Sequence, residues 1–491
     1  MSYRHGIYID ELPTGILPAV QVESALPFVV GTAPIHLTEE ADLSDKINRP
    51  VVCYSYDQFV AAFGYSADWS KFSLCEFAKV YFGLYNVGPV VILNVLDPVT
   101  NGTAVPAADV DLVAGAYTID DEDAVLQSLV VKAEGGAGDA FVLGDDYTAA
   151  YDDDGQIVIT RVADGTIPAA DSTVSIAYKT IEGDETAAAD IIGGDTSNVR
   201  TGLEAIENVY PLYAKIPTLI LAPGWSHDAT VMAAMVAKAG GYGGGFKAVA
   251  IADIDSTSAG ADIAGEVTSW KSTNNYSDAH LIPCWPKVVL GSGTSAVTYW
   301  MSSHVAGAIA RTDAEKGGGI PYWSPSNNRM QCNGLVDAAG GEVILSRDEA
   351  NDLNGIGVVT AINLQGQWKV WGNRTSVYPT STDPKDAFIP NRRMMDYIGN
   401  TVIVSWLQMV DYPIRKRTIQ TIVESQNSWL NSLQGAEAIL GGRVVFSDTE
   451  NPIADMIDGK VVLHLYVGLS SPAEEIVERL EFDPSYYEGV F

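Results

Sequence analysis

The chain has 491 residues, 47% of them hydrophobic and 19% charged, which excludes a disordered polymer and predicts roughly two to four domains. Its 62 acidic residues against 29 Lys and Arg give a formal charge of −33, and no basic stripe offsets it, which argues against a nucleic-acid partner. No run approaches the roughly 20 apolar residues that cross a bilayer, and MSYRHGIYIDELP lacks a signal-peptide core, so no stable membrane insertion is expected.

Residues 1–20 alternate weakly, with Ile7 and Ile9 on one side and Tyr8 on the other, until Pro13, Gly15 and Pro18 break the pattern. A segment this short has no core, and its backbone polar groups stay unpaired unless it joins a sheet elsewhere, so it reads as an N-terminal arm centred on Gly6, Ile7, Tyr8, Ile9 and Leu12. Over 21–100 the apolar runs FVVGTAP, VVCYSY and GPVVILNVL alternate with a helical stretch in which Leu74, Phe77, Ala78, Tyr81 and Tyr85 share a face.

Residues 101–197 change character. Thr, Val, Gly and Asp dominate, Asp154-Gly155 and Asp164-Gly165 mark turns between strands such as QIVITRV and STVSIAY, and 20 acidic residues face only Lys132, Arg161 and Lys179. Such charge density predicts a solvent-facing β domain inserted into an α/β one.

The α/β text resumes over 198–370 with the buried strand PTLILAPG. Ser226 is expected to cap a helix through Met232, Met235 and Val236, and FKAVAIADID is the next strand. In the block Ser303–Asn327, Ala306, Gly307, Ala308 and Ala310 suit a closely packed helix, and Arg311, Thr312 and Asp313 read as a polar cluster.

Over 371–470 two helical patterns, Met395/Ile398/Val402/Met409 and Ile419/Ile422/Val423/Gln426/Trp429/Leu430/Leu433, flank Pro413, and the strands GRVVF and KVVLHLYVGL follow, predicting an α+β C-terminal domain. Arg392 and Arg393 are placed before the first helix. Arg415, Lys416 and Arg417 open the second, where the helix dipole opposes them. The last piece, 471–491, carries Ile476, Val477, Leu480 and Phe482 without a core and reads as a C-terminal arm.

Groups suited to chemistry occur without the spacing that chemistry needs. In GGYGGGF, Phe246 stands where a phosphate loop has Lys, which favours a surface loop over a nucleotide site. Ser226, His227 and Asp228 are adjacent, whereas a triad converges from separate elements. The six histidines are scattered, Cys53, Cys75, Cys284 and Cys332 follow no C-x-x-C spacing, and Asp152–Asp154 lacks EF-hand ligand order, so no metal, disulfide framework, cofactor or catalytic residue is assigned.

HGIYIDELPTG (5–15), GTAP (31–34), LAPGWS (221–226), the 303–327 block, LNGIGVVT (353–360), WGNRT (371–375), PNRRMMDYI (390–398) and AILGGRVVF (438–446) follow one another in an order that resembles the contractile phage tail sheath family. The likeness is to P2-like and Mu-like phage and R-type bacteriocin sheaths more than to the two-component sheath of type VI secretion. It implies a non-enzymatic helical polymer of stacked rings around a tail tube, with terminal arms pairing with neighbouring subunits. It also implies baseplate and tail terminator partners, assembly in the host cytoplasm and a place in the virion. The C-terminal domain would face the tube, making Arg415, Lys416 and Arg417 tube-facing candidates. An acidic surface or adhesion protein with β domains is the alternative.

Overall fold

The computed structural model describes residues 19–38, 40–152, 154–168 and 171–488. Its centre is a six-stranded sheet in the spatial order Leu281–Cys284, Val249–Asp253, Leu219–Leu221, Pro27–Gly31, Val90–Asn94, Val51–Cys53. All neighbours are parallel except the last pair. The parallel strands are buried along their whole length, which is why they read as unbroken apolar runs rather than as alternation.

Period-two geometry divides those runs between two cores. Val29, Ile92, Leu219, Leu221 and Ile251 face one side, where they meet the helical stretch Ser73–Leu84 and the helix Met301–Glu315. Phe28, Val30, Leu93, Ile220 and Ala250 face the other, against Val231, Met232 and Met235 of the helix Ala229–Gly240 and Val267 of the helix Ala264–Thr273. The face expected for Leu74, Phe77, Ala78, Tyr81 and Tyr85 is buried as read, although the helix widens to a π form from Lys79 to Leu84.

Between the two halves of the sheet, residues 103–180 form two three-stranded antiparallel sheets. One has the order Thr103–Asp111, Thr173–Thr180, Ala124–Ala133, and the other Ala116–Ile119, Ile157–Arg161, Tyr147–Tyr151. Their shared core is small, built on Leu112, Ile119, Val131, Tyr147, Ile157, Ile159, Val174 and Ile176. An ion pair from Asp123 to Lys71 and hydrogen bonds from Gln127 to the carbonyls of His36 and Glu40 tie this region to the body.

After the central sheet come a four-stranded antiparallel sheet (Val297–Tyr299, Lys287–Leu290, Gly334–Val336, Glu342–Val343) and the hairpin Thr360–Leu364/Gln367–Trp371. The C-terminal part packs the helices Ile389–Leu407 and Lys416–Gly435 on the strand pair Gly441–Phe446/Leu463–Gly468, with Met394, Ile398, Trp429, Leu430, Leu433 and Val444 at the centre. The first of these helices starts at Ile389, with Pro390 in its first turn, so Arg392 and Arg393 lie inside it and are buried, not ahead of it. No helix among the described residues is long and apolar enough to cross a membrane.

Gly307 of the Met301–Glu315 helix lies against Tyr85, the residue that follows the Ser73–Leu84 stretch. A Cβ there would lie 2.5 Å from Cδ2 and 2.6 Å from Cγ of Tyr85. That ring is buried and held by its hydroxyl, which contacts His304 Nδ1 at 3.3 Å and accepts from the Gln331 N–H at 3.2 Å. Helix propensity alone would favour alanine by about 1 kcal/mol, but overpacking costs about 1–3 kcal/mol. Gly307→Ala is therefore expected to lower the denaturation midpoint, and an unchanged or raised midpoint would mean that the Tyr85 ring yields.

Candidate functional site

Strand order reverses between Pro27–Gly31 and Leu219–Leu221, and in open α/β sheets the crevice at the carboxyl ends of such strands is where ligands bind. Here side chains fill it. Ser73 lies directly over Gly31, and Gly224 faces Ser73 Cβ and Trp300 Nε1, each 3.5 Å from where its Cβ would be.

A buried polar cluster surrounds this plug. Asp253, at the end of its strand, accepts from the Ser302 N–H at 2.9 Å and from the hydroxyls of Ser302 and Ser226. Glu76 accepts from the Trp300 N–H at 3.0 Å and the Ser303 hydroxyl at 3.1 Å. Lys287 Nζ sits 3.6 Å from the centre of the Trp300 ring, and His227 stacks on the same ring at 5.4 Å. Burial, reinforced by the charge of Asp253, pushes the Glu76 carboxyl up to about 8; its hydrogen-bond donors and Lys287 pull the other way. Burial likewise raises Asp253.

Ser226 is thus bonded to Asp253 while His227 is engaged with Trp300, so the adjacent Ser-His-Asp residues form no relay. Nor does Ser226 cap the following helix. Asp228 does, accepting from the Thr230 N–H at 2.7 Å, because Ser226 is drawn inward by Asp253. In the glycine-rich loop, Phe246 is buried, and the Lys247 N–H donates to Asn400 Oδ1 of the Ile389–Leu407 helix at 2.9 Å while Asn400 Nδ2 donates to the Lys247 carbonyl at 2.8 Å. The four cysteines are buried free thiols.

The joint between the body and the C-terminal helices is ionic. Arg393 donates to Asp313 through Nη1 and Nη2, at 3.1 and 2.5 Å, and from Nη2 to the Ser24 carbonyl at 3.0 Å, with both side chains almost wholly buried. Arg392 bridges Asp386 at 2.8 Å and Asp396 at 2.7 Å. His280 lies 3.5 Å from both Asp278 and Asp396. Burial opposes its charge, yet the carboxylates outweigh that and raise its pKa. The expected Arg311/Thr312/Asp313 cluster is in fact divided: Arg311 pairs with exposed Glu315, Thr312 bonds the Ala308 carbonyl, and Asp313 takes Arg393.

Of the predicted contact residues, Gly6, Ile7, Tyr8, Ile9 and Leu12 lie outside the described residues. Arg415, Lys416 and Arg417 are exposed at the start of the Lys416–Gly435 helix, beside exposed Leu407, Val410, Tyr412 and Ile414, and none of the three makes an ion pair with a described residue. Ile476, Val477, Leu480 and Phe482 are all exposed, on a segment without strand or α-helix, so no described residue covers them. The crevice cluster was not anticipated. Its only signal in sequence is a carboxylate inside apolar text, Glu76 in SLCEFA and Asp253 in VAIAD.

Comparison with known proteins decides what this arrangement belongs to. The family described as phage tail sheath protein central domain matches residues 198–376. The tail sheath protein of Burkholderia phage BcepMu is 30% identical over 99% of this chain and 98% of its own length. The chain belongs to the tail sheath protein family. The major tail sheath protein of Serratia phage KSP20 is 23% identical over 81% of this chain and 93% of its own. The fold is similar to that of a PVC sheath complex from an extracellular contractile injection system in its contracted state, with TM-score 0.58, 13% identity and 99% of both chains covered. The family match takes in the plugged crevice from Leu219 onward, Asp313 and WGNRT, and ends before Arg393.

The raised Glu76 value has a sign that can be tested in this sheath-family chain. Between the ordinary carboxylate value and about 8 the folded chain holds a proton that the unfolded chain has released, so this contribution to stability is full at low pH and is lost as pH rises through about 8. Glu76→Gln copies the protonated acid. Its melting temperature is expected to match the wild type at about pH 4 and to exceed it at about pH 9. Parallel profiles at both pH values would mean that the folded protein carries Glu76 ionised.

Proposed function

We propose that this chain polymerises into the contractile sheath of a tail, as stacked rings around a tail tube, stores free energy during assembly and contracts to drive the tube through a target cell envelope. The observation that carries this reading is the 30% identity to a tail sheath protein along essentially the whole length, insertion and termini included. The contracted-sheath fold of its distant neighbours is consistent with it. The work comes from exchanging weaker subunit contacts for stronger ones, so no nucleotide and no turnover are needed. The filled crevice supports that part, since the place where such a sheet would hold a nucleotide is occupied by Ser73 and Trp300. Full-length identity to a sheath protein favours this over an acidic adhesion protein.

Within that reading the chain divides at 1–20, 21–100, 101–197, 198–370, 371–470 and 471–491. The acidic β insertion faces outward, and the arms around Gly6–Leu12 and Ile476–Phe482 add to sheet edges of neighbouring subunits, where main-chain hydrogen bonds keep the lattice connected. Arg415, Lys416 and Arg417 face the tube and guide register through charge complementarity. Their exposure, without an ion pair to a described residue, supports the assignment. Tube protein, baseplate and terminator are the remaining partners, with assembly in the host cytoplasm and residence in the virion tail.

The full chain, purified and imaged in negative stain, should form tubular polymers. Deleting 471–491 should leave circular dichroism unchanged and the protein monomeric, while excising 101–197 with a short linker should leave polymers intact. Globular particles from the full chain, or normal tubes without the tail segment, would sink the reading.

Replacing Arg415, Lys416 and Arg417 together by Ser should yield sheaths that assemble contracted or without tubes when tube protein is supplied. Extended, tube-filled particles at normal yield would remove the trio from the mechanism.

A further inference from the structure

WGNRT contains one side chain whose surroundings are built in more detail than packing requires. The Arg374 guanidinium lies 3.7 Å from the centre of the Phe388 ring and 4.4 Å from that of Tyr378. Its backbone is fixed as well. Arg374 bridges Phe388 in antiparallel fashion, the Thr375 N–H donates to the Ala387 carbonyl at 3.0 Å, and the Ile389 N–H donates to the Asn373 carbonyl at 2.8 Å. A guanidinium ordered this way loses little further freedom when it binds a carboxylate.

The carboxylate it binds is a hundred residues away. Arg374 Nε contacts the two oxygens of Glu474 at 3.0 and 3.1 Å, and Nη2 also reaches Glu474. Three residues earlier, Ser471 Oγ accepts from Asn391 Nδ2 at 3.1 Å. Past Glu474 the side chains project into solvent: Ile476 is 79% exposed, Leu480 101% and Phe482 78%. The same stretch, Ser470–Ile476, borders an open cleft of about 1000 Å³ that Tyr378, Trp323, Asn327, Arg347 and Asn351 also line.

We propose that Arg374 is a preformed socket that grips Glu474 and so fixes the point and direction at which the C-terminal segment leaves the body. The segment would otherwise be free to swing, since it borders an open cleft and its side chains past Glu474 are exposed. The socket sits between the Gln367–Trp371 strand and the Ile389–Leu407 helix, so the departure angle is referred to the joint held by Arg393. With Glu474 about half exposed, the grip is also sensitive to salt, which screens such pairs. Gripping is a property of the isolated chain. Only its consequence, presentation of the segment to a neighbouring subunit, rests on the proposed sheath function.

Nitroxide labels at Glu478→Cys, on the segment beyond Ile476, and Asp348→Cys, next to the cleft residue Arg347, report the swing as a distance distribution. The four native cysteines are buried and leave the engineered thiols selectively reactive. The labelled full chain is diluted into unlabelled chain to suppress distances between molecules. Glu474→Gln should widen the distribution at least about two-fold at an unchanged melting temperature, as loss of a half-exposed ion pair permits. Arg374→Gln should widen it equally, and the double variant should be no wider than either single one, because both remove the same interaction. Wild-type width in Glu474→Gln overturns the proposal by itself, even if Arg374→Gln fails to fold. A narrow wild-type distribution that widens in Glu474→Gln, in a chain that never forms tubes, would keep the socket and discard the sheath reading. Normal tubes with unchanged widths would do the reverse.

Discussion

The pairing of Arg393 with Asp313 is the constraint on which the rest of the molecule depends. Both side chains are almost wholly removed from water, a transfer that costs several kcal/mol per ion unless geometry and extra hydrogen bonds offset it. Two-nitrogen contact with the carboxylate and the bond to the Ser24 carbonyl meet that condition. Any shift of the Ile389–Leu407 helix against the Met301–Glu315 helix would leave an unpaired buried charge, so the two helices are held in one relative position. Through Ser24 the same guanidinium positions the chain just before the first central strand. One contact therefore joins the sheet, the helix that covers it and the C-terminal helices.

Around this pair the other internal cations act in the same way. Arg392 bridges Asp386 and Asp396, and Lys271 donates to the carbonyls of Ile356 and Ser376. In a chain of such negative charge, these cations bind the parts of the body and its joint. The acidic excess is concentrated instead in 101–197, where a small core carries an exposed surface.

Five of the six central strands were legible because burial on both faces leaves them apolar up to Asn94 and Asp253 at their ends, and the Lys416–Gly435 helix because it buries one stripe, whereas the Ile389–Leu407 helix is buried on nearly every side. The strands of the four-stranded sheet were not. They are two to four residues long, and their partners are set by tertiary position, as when Val288 faces both Tyr299 and Leu335. Arg392 and Arg393 were misplaced because two adjacent arginines ordinarily mark a solvated helix end, and nothing local reveals that Asp313, 80 residues earlier, waits for one of them. The capping role went to Asp228 rather than Ser226 for a similar reason, since Asp253 binds the serine first. Local propensity located the elements, and long-range charge pairing decided which polar groups turn inward.

That pattern gives meaning to the cations that are not turned inward. Arg415, Lys416 and Arg417 stand in succession at the start of the Lys416–Gly435 helix, where the dipole disfavours positive charge by some tenths of a kcal/mol per residue. Arg415 occupies the N-cap position and its side chain caps nothing. Exposed Leu407, at the end of the preceding helix, and Val410, Tyr412 and Ile414, in the link after it, adjoin them, so apolar surface and positive charge without a described partner lie side by side. Within the described chain neither feature is compensated. Both would be compensated by a single partner whose surface is acidic at its rim and apolar at its centre, which is the chemistry the proposed reading asks of a tail tube.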